Sequence, residues 1–329
     1  MARNIFNIAI ALAALMGLGA CYHEVNLDGY RDSEGENLLT LNSLVCPDTT
    51  IRVSATRPYF FSDVHNYREF VMDLELELSI NGKSKGMMKY DFLNNVYISD
   101  VKPAPGDTVQ LSTTFRGNHI EASDVVPQPV EIKNIKVSRE GPYVIYSDYD
   151  FVINYTVTFT DTPGHADYYF LQWDHSDARY DIMNGERDYT HAYVFNTMAD
   201  EIRSTLPGWE PYSPYGLPFS DKGIDGQTHD IMVRETVQMN EYSYNWKLNR
   251  MCRRFKLFAI SKHYYDYLIS VLINDTDDRG LQGGMIDLGM ADPVKIHSNI
   301  SGGVGILGCY TTSTKEFDVL EIVGKFPRK

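Results

Sequence analysis

"SNISGGVGILGCYTT", residues 298–312, sets two readings of the fold against each other. Gly303, Gly305 and Gly308 stand in the spacing G-x-G-x-x-G, by which a dinucleotide-binding loop lets its backbone approach a pyrophosphate. Such a loop follows the first strand of a βαβ unit and opens a helix whose amino terminus holds the phosphate. After Gly308 the chain reads Cys309-Tyr310-Thr311-Thr312-Ser313-Thr314, β-branched and aromatic, with 21 residues left to Lys329. A helix, a second strand and their crossover do not fit into that length. Gly302, Gly303, Gly305 and Gly308 therefore read as places where backbone lies against backbone or a strand bends, as the carboxy-terminal segment closes a second β unit. No cofactor is expected.

Outward from this stretch the dominant signal is alternation of apolar and polar residues, which puts the apolar set on one face of a half-buried strand. It is clearest in Asp73-Leu74-Glu75-Leu76-Glu77-Leu78-Ser79-Ile80, which runs into the hairpin dipeptide Asn81-Gly82. Leu38–Val45, Ile51–Ala55, Asn95–Ser99, Val109–Phe115 and His119–Ala122 follow the same rule. Val125-Val126-Pro127-Gln128-Pro129 interrupts it, because proline cannot donate to a ladder and restricts the residue before it. Beyond the interruption come Val130–Val137, Tyr149–Thr160, Asp167–Trp173, Thr190–Phe195, Asp230–Gln238 and Phe255–Ile260. Tyr264, Tyr265, Leu268, Ile269 and Leu272 then recur at helical spacing, with Ser261 placed to cap. The expected architecture is mainly β: two sandwich-like units of the immunoglobulin or transthyretin kind, over residues 37–126 and 130–325, with one or a few short helices in the second.

The first residues speak to location. Arg3 is the only charge among the first twenty, and Ile5–Leu18 is an apolar run shorter than the roughly 20 residues a membrane span requires. It reads as the core of a signal peptide. It ends in Leu18-Gly19-Ala20-Cys21, which resembles the lipobox of bacterial lipoproteins. Cleavage there removes residues 1–20 and leaves Cys21 carrying acyl chains such as palmitate. The competing reading is an uncleaved anchor or an ordinary secretory signal with a chance cysteine. At about 0.8 kcal/mol per buried methylene, several acyl chains hold a protein on a bilayer for good. Residues 21–36 are polar and aperiodic, the composition of a flexible tether.

The formal charge of the whole chain is −14, and no Lys/Arg cluster is present beyond Arg250, Arg253 and Arg254. That excludes nucleic acid and anionic lipid surfaces as expected partners. Cys46, Cys252 and Cys309 remain after lipid attachment, enough for one disulfide, with Cys252–Cys309 as one pairing, and one thiol. Asp and His in His165-Ala166-Asp167, Asp174-His175-Ser176-Asp177 and Asp181 are of types that ligate divalent metals, yet Asp174 and His175 point to opposite faces of a strand, and no metal is expected. Asp275-Thr276-Asp277-Asp278-Arg279-Gly280 fails as a calcium loop, because Arg279 and Ile286 stand where oxygen ligands belong. Cys252 beside Arg253 and Arg254 lacks a recognisable base, so no catalytic residue and no enzymatic activity are expected.

The stretch Leu206–Phe219 is different. Its four prolines stiffen it, while Trp209, Tyr212, Tyr215 and Phe219 offer broad amphipathic faces at low entropic cost. They suit contact with a ligand or a protein partner; the competing and preferred reading packs them onto their own sheet.

Several segments together resemble the domain-of-unknown-function 4249 family (DUF4249) of Bacteroidetes outer-membrane lipoproteins. They are Phe219-Ser220-Asp221 with Asp225-Gly226, the run Ile260–Leu268, Ala291-Asp292-Pro293-Val294, and Ser298-Asn299-Ile300 with Gly302–Gly308. The resemblance implies an accessory lipoprotein of the outer membrane, at the cell surface or on the periplasmic leaflet, that accompanies a TonB-dependent transporter. It carries over no catalytic residue; only Cys21 has a role to inherit. The alternative from a different class is an exported hydrolase or metal-dependent enzyme housed in the second unit.

Overall fold

The computed structural model describes residues 38–58, 69–145, 148–179, 190–192, 217–239, 248–274 and 295–326. The first part contains β1 (Thr40–Val45), β2 (Ile51–Arg57), β3 (Glu69–Phe70), β4 (Glu77–Ile80), β5 (Lys83–Met87), β6 (Lys89–Asp91), β7 (Val96–Ser99), β8 (Thr108–Phe115) and β9 (Asn118–Val125). The second contains β10 (Ile132–Ile145), β11 (Asp148–Thr160), β12 (Tyr168–Arg179), β13 (Thr190–Ala192), β14 (Leu217–Ser220), β15 (Thr228–Met239) and β16 (Leu248–Ile260). Helix α1 (Lys262–Asn274), β17 (Ile300–Ser301), β18 (Val304–Asp318) and helix α2 (Val319–Val323) complete it. The protein is mainly β, as the alternation requires.

Among the described residues three sheets make two sandwiches. A ten-stranded sheet runs in the order β13-β12-β16-β18-β1-β2-β7-β6, with β14 and β3 paired at its flanks, and it is shared. A five-stranded sheet, β17-β9-β8-β4-β5, covers one half of it, and a three-stranded sheet, β10-β11-β15, covers the other. The first core is mostly branched aliphatic: Leu39, Leu41 and Val45 from β1 and its approach, Ile51 and Val53 from β2, Leu78 and Ile80 from β4, Val109 and Leu111 from β8. The second is built on aromatic rings, with Phe151, Tyr155 and Phe159 of β11 meeting Tyr169 and Trp173 of β12 and Phe255 of β16.

The stretch 298–312 joins the two. The first part of β18, Val304–Cys309, lies parallel to β1, and its second part, Tyr310–Asp318, lies antiparallel to β16. Leu307 and Cys309 therefore sit in the first core and Phe317 packs against the second. The glycine block thus closes the first sandwich and enters the second only past Cys309, whereas the sequence suggested closure of the second. The reason is the parallel pairing with β1, which no local pattern announces. Close backbone approach does hold: a Cβ on Gly303 would lie 2.7 Å from the Leu39 carbonyl, and one on Gly305, at φ 116°, would lie 2.0 Å from that of Leu41.

Other expectations compare closely. Asp73–Ile80 turns Leu76, Leu78 and Ile80 inward, but the ladder begins at Glu77, because Leu74 N–H donates to the Tyr97 hydroxyl (2.8 Å) and the Leu76 carbonyl accepts from Met88 (2.8 Å). Ser261 caps α1 by accepting from Tyr264 N–H at 3.2 Å. Short β5 and β6 and the final helix α2, absent from the sequence reading, have too few inward apolar residues to show a period.

Candidate functional site

Three segments singled out in the sequence, Ile260–Leu268, Ser298–Ile300 and Gly302–Gly308, converge where the sandwiches meet. Cys309 N–H donates to Asp124 Oδ2 (2.8 Å) and lies 3.2 Å from Ser261 Oγ, while Ser261 N–H donates to the Cys309 carbonyl (2.9 Å). The Ser261 hydroxyl also bonds the Asp124 carboxylate. Asp124 is buried, and burial raises its pKa against the pull of these bonds and of the nearby His263 charge. Burial pushes the Cys309 thiol far up as well, helped by the Asp124 charge, so it is a neutral core group. Asn299 straddles the strand, its Nδ2 donating to the Leu307 carbonyl (2.8 Å) and its Oδ1 accepting from Leu307 N–H (2.9 Å). His263 Nδ1 stands 3.1 Å from His297 Nε2, with the rings stacked. Ser261, Asp124 and Cys309 are thus committed to one another and to backbone, a structural clasp rather than a nucleophile and its base.

Beside the clasp runs a groove of about 610 Å³ over the outer face of the five-stranded sheet. Ser79, Ser112, Ser123 and Ser301 line it with Gln110 and Glu121, and His263 and Asn299 close one end. The alternation that buries Leu78, Leu111 and Ala122 delivers these polar neighbours to one solvent face. The arrangement offers donors and acceptors on a rigid platform, suited to a polar ligand.

A second polar site gathers at one corner of the second sandwich, in the β11–β12 and β14–β15 connections. Oxygens of Asp161, Asp221 and Asp225 lie within 4.8 Å of one another. One oxygen of each accepts a backbone N–H: Asp161 from Gly226 (2.7 Å), Asp221 from Asp167 (3.0 Å) and Asp225 from Gly164 (2.8 Å). The Tyr169 hydroxyl donates to the other oxygen of Asp161, and burial together with that bond drives the Tyr169 pKa far above the phenol range. Burial and then the charges of Asp161, Asp221 and Asp225 raise Asp167, with His165 opposing. Carboxylates so placed have the chemistry of a divalent-cation site; they serve equally as caps for two tight turns. The sequence reading picked out Asp167 but not Asp161. Asp221 and Asp225 were among its family-like residues, and that was the signal available.

The other candidates are placed as follows. Cys21, Trp209, Tyr212 and Tyr215 lie outside the described residues. Phe219, a candidate either for partner contact or for packing onto its own sheet, is 1% exposed and lodged against Phe159 and Tyr169, so its ring belongs to the core. Asp174 is no open metal ligand: it is fully buried and accepts from Arg254 (2.6 Å) and Lys256 (2.9 Å), Arg254 lying directly opposite it in the register. Arg253 and Arg254 are likewise committed, Arg253 to Glu235 and Arg254 to Asp174, and do not serve Cys252. Cys252 is level with Asp318 and Tyr310 with Ile260, so Cys252 and Cys309 are some nine residues apart along neighbouring strands, roughly 30 Å. No disulfide spans that. Sequence reasoning passed over Asp124 and Glu235 and weighed Arg253 only as a neighbour of Cys252; each stands at an inward position of an otherwise apolar alternation.

Comparison with known proteins places these features in a family. Residues 24–316 match the family described as "Domain of unknown function (DUF4249)". No curated protein matches the chain in sequence. Among solved structures it is similar to a crystal structure from Corynebacterium diphtheriae described as "Putative membrane anchored protein", at 10% identity and a TM-score of 0.20. That similarity covers 68% of this chain and 54% of the other, so this chain spans about half the length of its neighbour.

Proposed function

The chain belongs to the DUF4249 family, and from that premise we propose that it is a lipid-anchored accessory protein of the outer membrane that assists a TonB-dependent transporter by binding rather than by catalysis. The anchor in this reading is the acylated Cys21 after Leu18-Gly19-Ala20. Among the described residues no helix is long and apolar enough to cross a membrane. The observation that favours a binding role is the groove lined by Ser79, Gln110, Ser112, Glu121 and Ser123, a row of hydrogen-bonding groups held on a sheet whose other face is a packed core. Preorganised polar groups on rigid strands bind with little ordering cost. The alternative, an exported hydrolase or metal-dependent enzyme in the second unit, has on its side the Asp161, Asp221 and Asp225 corner, whose oxygens already cap backbone N–H groups.

Purification of the native complex through a carboxy-terminal tag tests this reading. A TonB-dependent transporter recovered with the chain is the expected result, and its identity would narrow the ligand. Recovery of the chain without any outer-membrane transporter overturns the reading. Cys21→Ala should abolish incorporation of labelled palmitate; undiminished incorporation overturns the anchor.

A further inference from the structure

The turns at the two ends of the first sandwich differ in character. Thr40 is level with Thr56, Val53 with Tyr97, and Tyr97 with Tyr90. The turn Phe92–Asn95 between β6 and β7 therefore lies at the end where the described chain begins, the end of Leu38, two strands across the sheet from β1. A Cβ on Gly302 would meet the His119 carbonyl and one on Gly303 that of Leu39. The turn Arg116-Gly117 between β8 and β9 thus belongs to the same end. The opposite end carries the turn after β1 with Asp48 and Thr49, the turn Asn81-Gly82, and Asp107, whose carboxylate binds Asn81 Nδ2 (2.7 Å) and Ala104 N–H (2.8 Å). That end is polar throughout these turns.

The Leu38 end is not. Phe92 is 74% exposed and Leu93 94%, two adjacent large apolar side chains on one turn. Asp91 holds the turn by accepting from Leu93 N–H (2.9 Å) and Asn94 Nδ2 (2.6 Å), and Phe92 touches Tyr90 edge-on, its ring left outside. Arg116 takes φ 50°, a conformation that favours Gly or Asn; the matching position of the far turn is Asn81, at φ 52°. The Arg116 guanidinium lies over the Phe115 ring. Apolar tips and an arginine at one end of a sandwich are the composition of a surface that meets the headgroup layer.

We propose that this end faces the lipid bilayer, with Phe92 and Leu93 seated at the boundary of headgroups and acyl chains and Arg116 at the level of the phosphates. The inference rests on the anchoring at Cys21 proposed above. Leu38 follows Cys21 by 17 residues, so the tether enters the fold at the Leu38 end and limits its distance from the membrane to about 60 Å, while the polar end is set back from that point of attachment by the length of a strand. A zwitterionic surface is the occupant, because a chain with a formal charge of −14 is repelled by an anionic one.

The test uses the lipidated full chain in vesicles of phosphatidylcholine and phosphatidylethanolamine containing a nitroxide-labelled lipid. The native Cys46, Cys252 and Cys309 are buried, so a fluorophore can be attached to Leu93→Cys or, at the far end, to Thr49→Cys. Quenching several-fold greater at position 93 than at position 49 is expected. Equal quenching, or none at position 93 while the protein floats with the vesicles, overturns the inference and leaves the anchor standing. Failure of the chain to float at all overturns the anchor and the inference together.

Discussion

The two cores on either side of β18 are filled by different means. The first is closed by branched aliphatics, Leu39, Leu41, Ile51, Val53, Leu78 and Val109 among them, with Tyr97 as its fully buried aromatic. The second is a ladder of rings: Trp173 stacks on Phe255, Phe255 on Phe317, and Tyr155 tilts against Trp173 and Phe255. Into that ladder goes a charge. Arg253 is 1% exposed, binds Glu235 through its Nε (3.0 Å), and lies over the Trp173 ring, while the Tyr155 hydroxyl donates to Glu235 at 2.6 Å. Rings leave flat faces on which a guanidinium can lie, and branched aliphatics do not. The first core is thus held by shape, the second by shape and a satisfied ion pair.

Breaking that pair should give the largest effect. Arg253→Met leaves Glu235 without its cation beside a hydroxyl whose own pKa burial and the Glu235 charge already push up, at a cost of about 3 to 5 kcal/mol. The denaturant midpoint followed through the second core should fall accordingly. Arg253→Met with Glu235→Leu should recover most of it, since replacing both partners removes the orphaned charge. A single variant as stable as the parent would show that the pair is dispensable.

The first core is better tested through its seam. Gly305 sits at φ 116°, and a Cβ there would lie 2.0 Å from the Leu41 carbonyl, so Gly305→Ala must shift β1. The expected cost is about 3 kcal/mol, with amide protection lost at Leu41 and Asn42 and kept along β11. Equal loss of protection in both sandwiches would mean that the two cores unfold as one.

The same contrast explains what the sequence discloses. Alternation announces a strand wherever one face is aliphatic, so β1, β2, β8 and β9 follow directly from their residues. It also marks every inward position, and at Asp124, Glu235 and Arg253 that position holds a charge. Those residues look like interruptions of a pattern until a partner is supplied from 18 residues away, as for Arg253, or from 185, as for Asp124 and Cys309. Parallel pairing of β1 with β18 is invisible for the same reason, since it depends on no turn between them. The acidic corner was half legible: turn chemistry puts Asp161, Asp221 and Asp225 in loops, but only the sheet brings the loops together.

The smallest effect should come from the joint itself. Only one proton fits between His263 Nδ1 and His297 Nε2, so that one ring donates and the other accepts. Burial lowers the His297 pKa, Asp266 opposes this, and the charges of His263 and Lys262 add to it. A folded pKa below the unfolded value of about 6.5 means that folding favours the neutral ring. The contribution is present above that pH and is lost as pH falls through the folded value. A proton on His297 meets the charges of His263 and Lys262, and the segment carrying His297, tied to α1 also by His297 N–H to Ser270 Oγ (2.9 Å), should loosen first. The protection factor of the amides in residues 297–301, intrinsic over observed exchange at each pH, should therefore fall on acidification from about pH 7 to pH 5, by an amount worth about 1 kcal/mol or less. His297→Gln should flatten that dependence. An unchanged pH profile in the variant would move the sensitivity elsewhere, and not to buried Asp124. Asp124 has the opposite sign: its raised pKa contributes stability below the carboxylate range, and that stability is lost as pH rises.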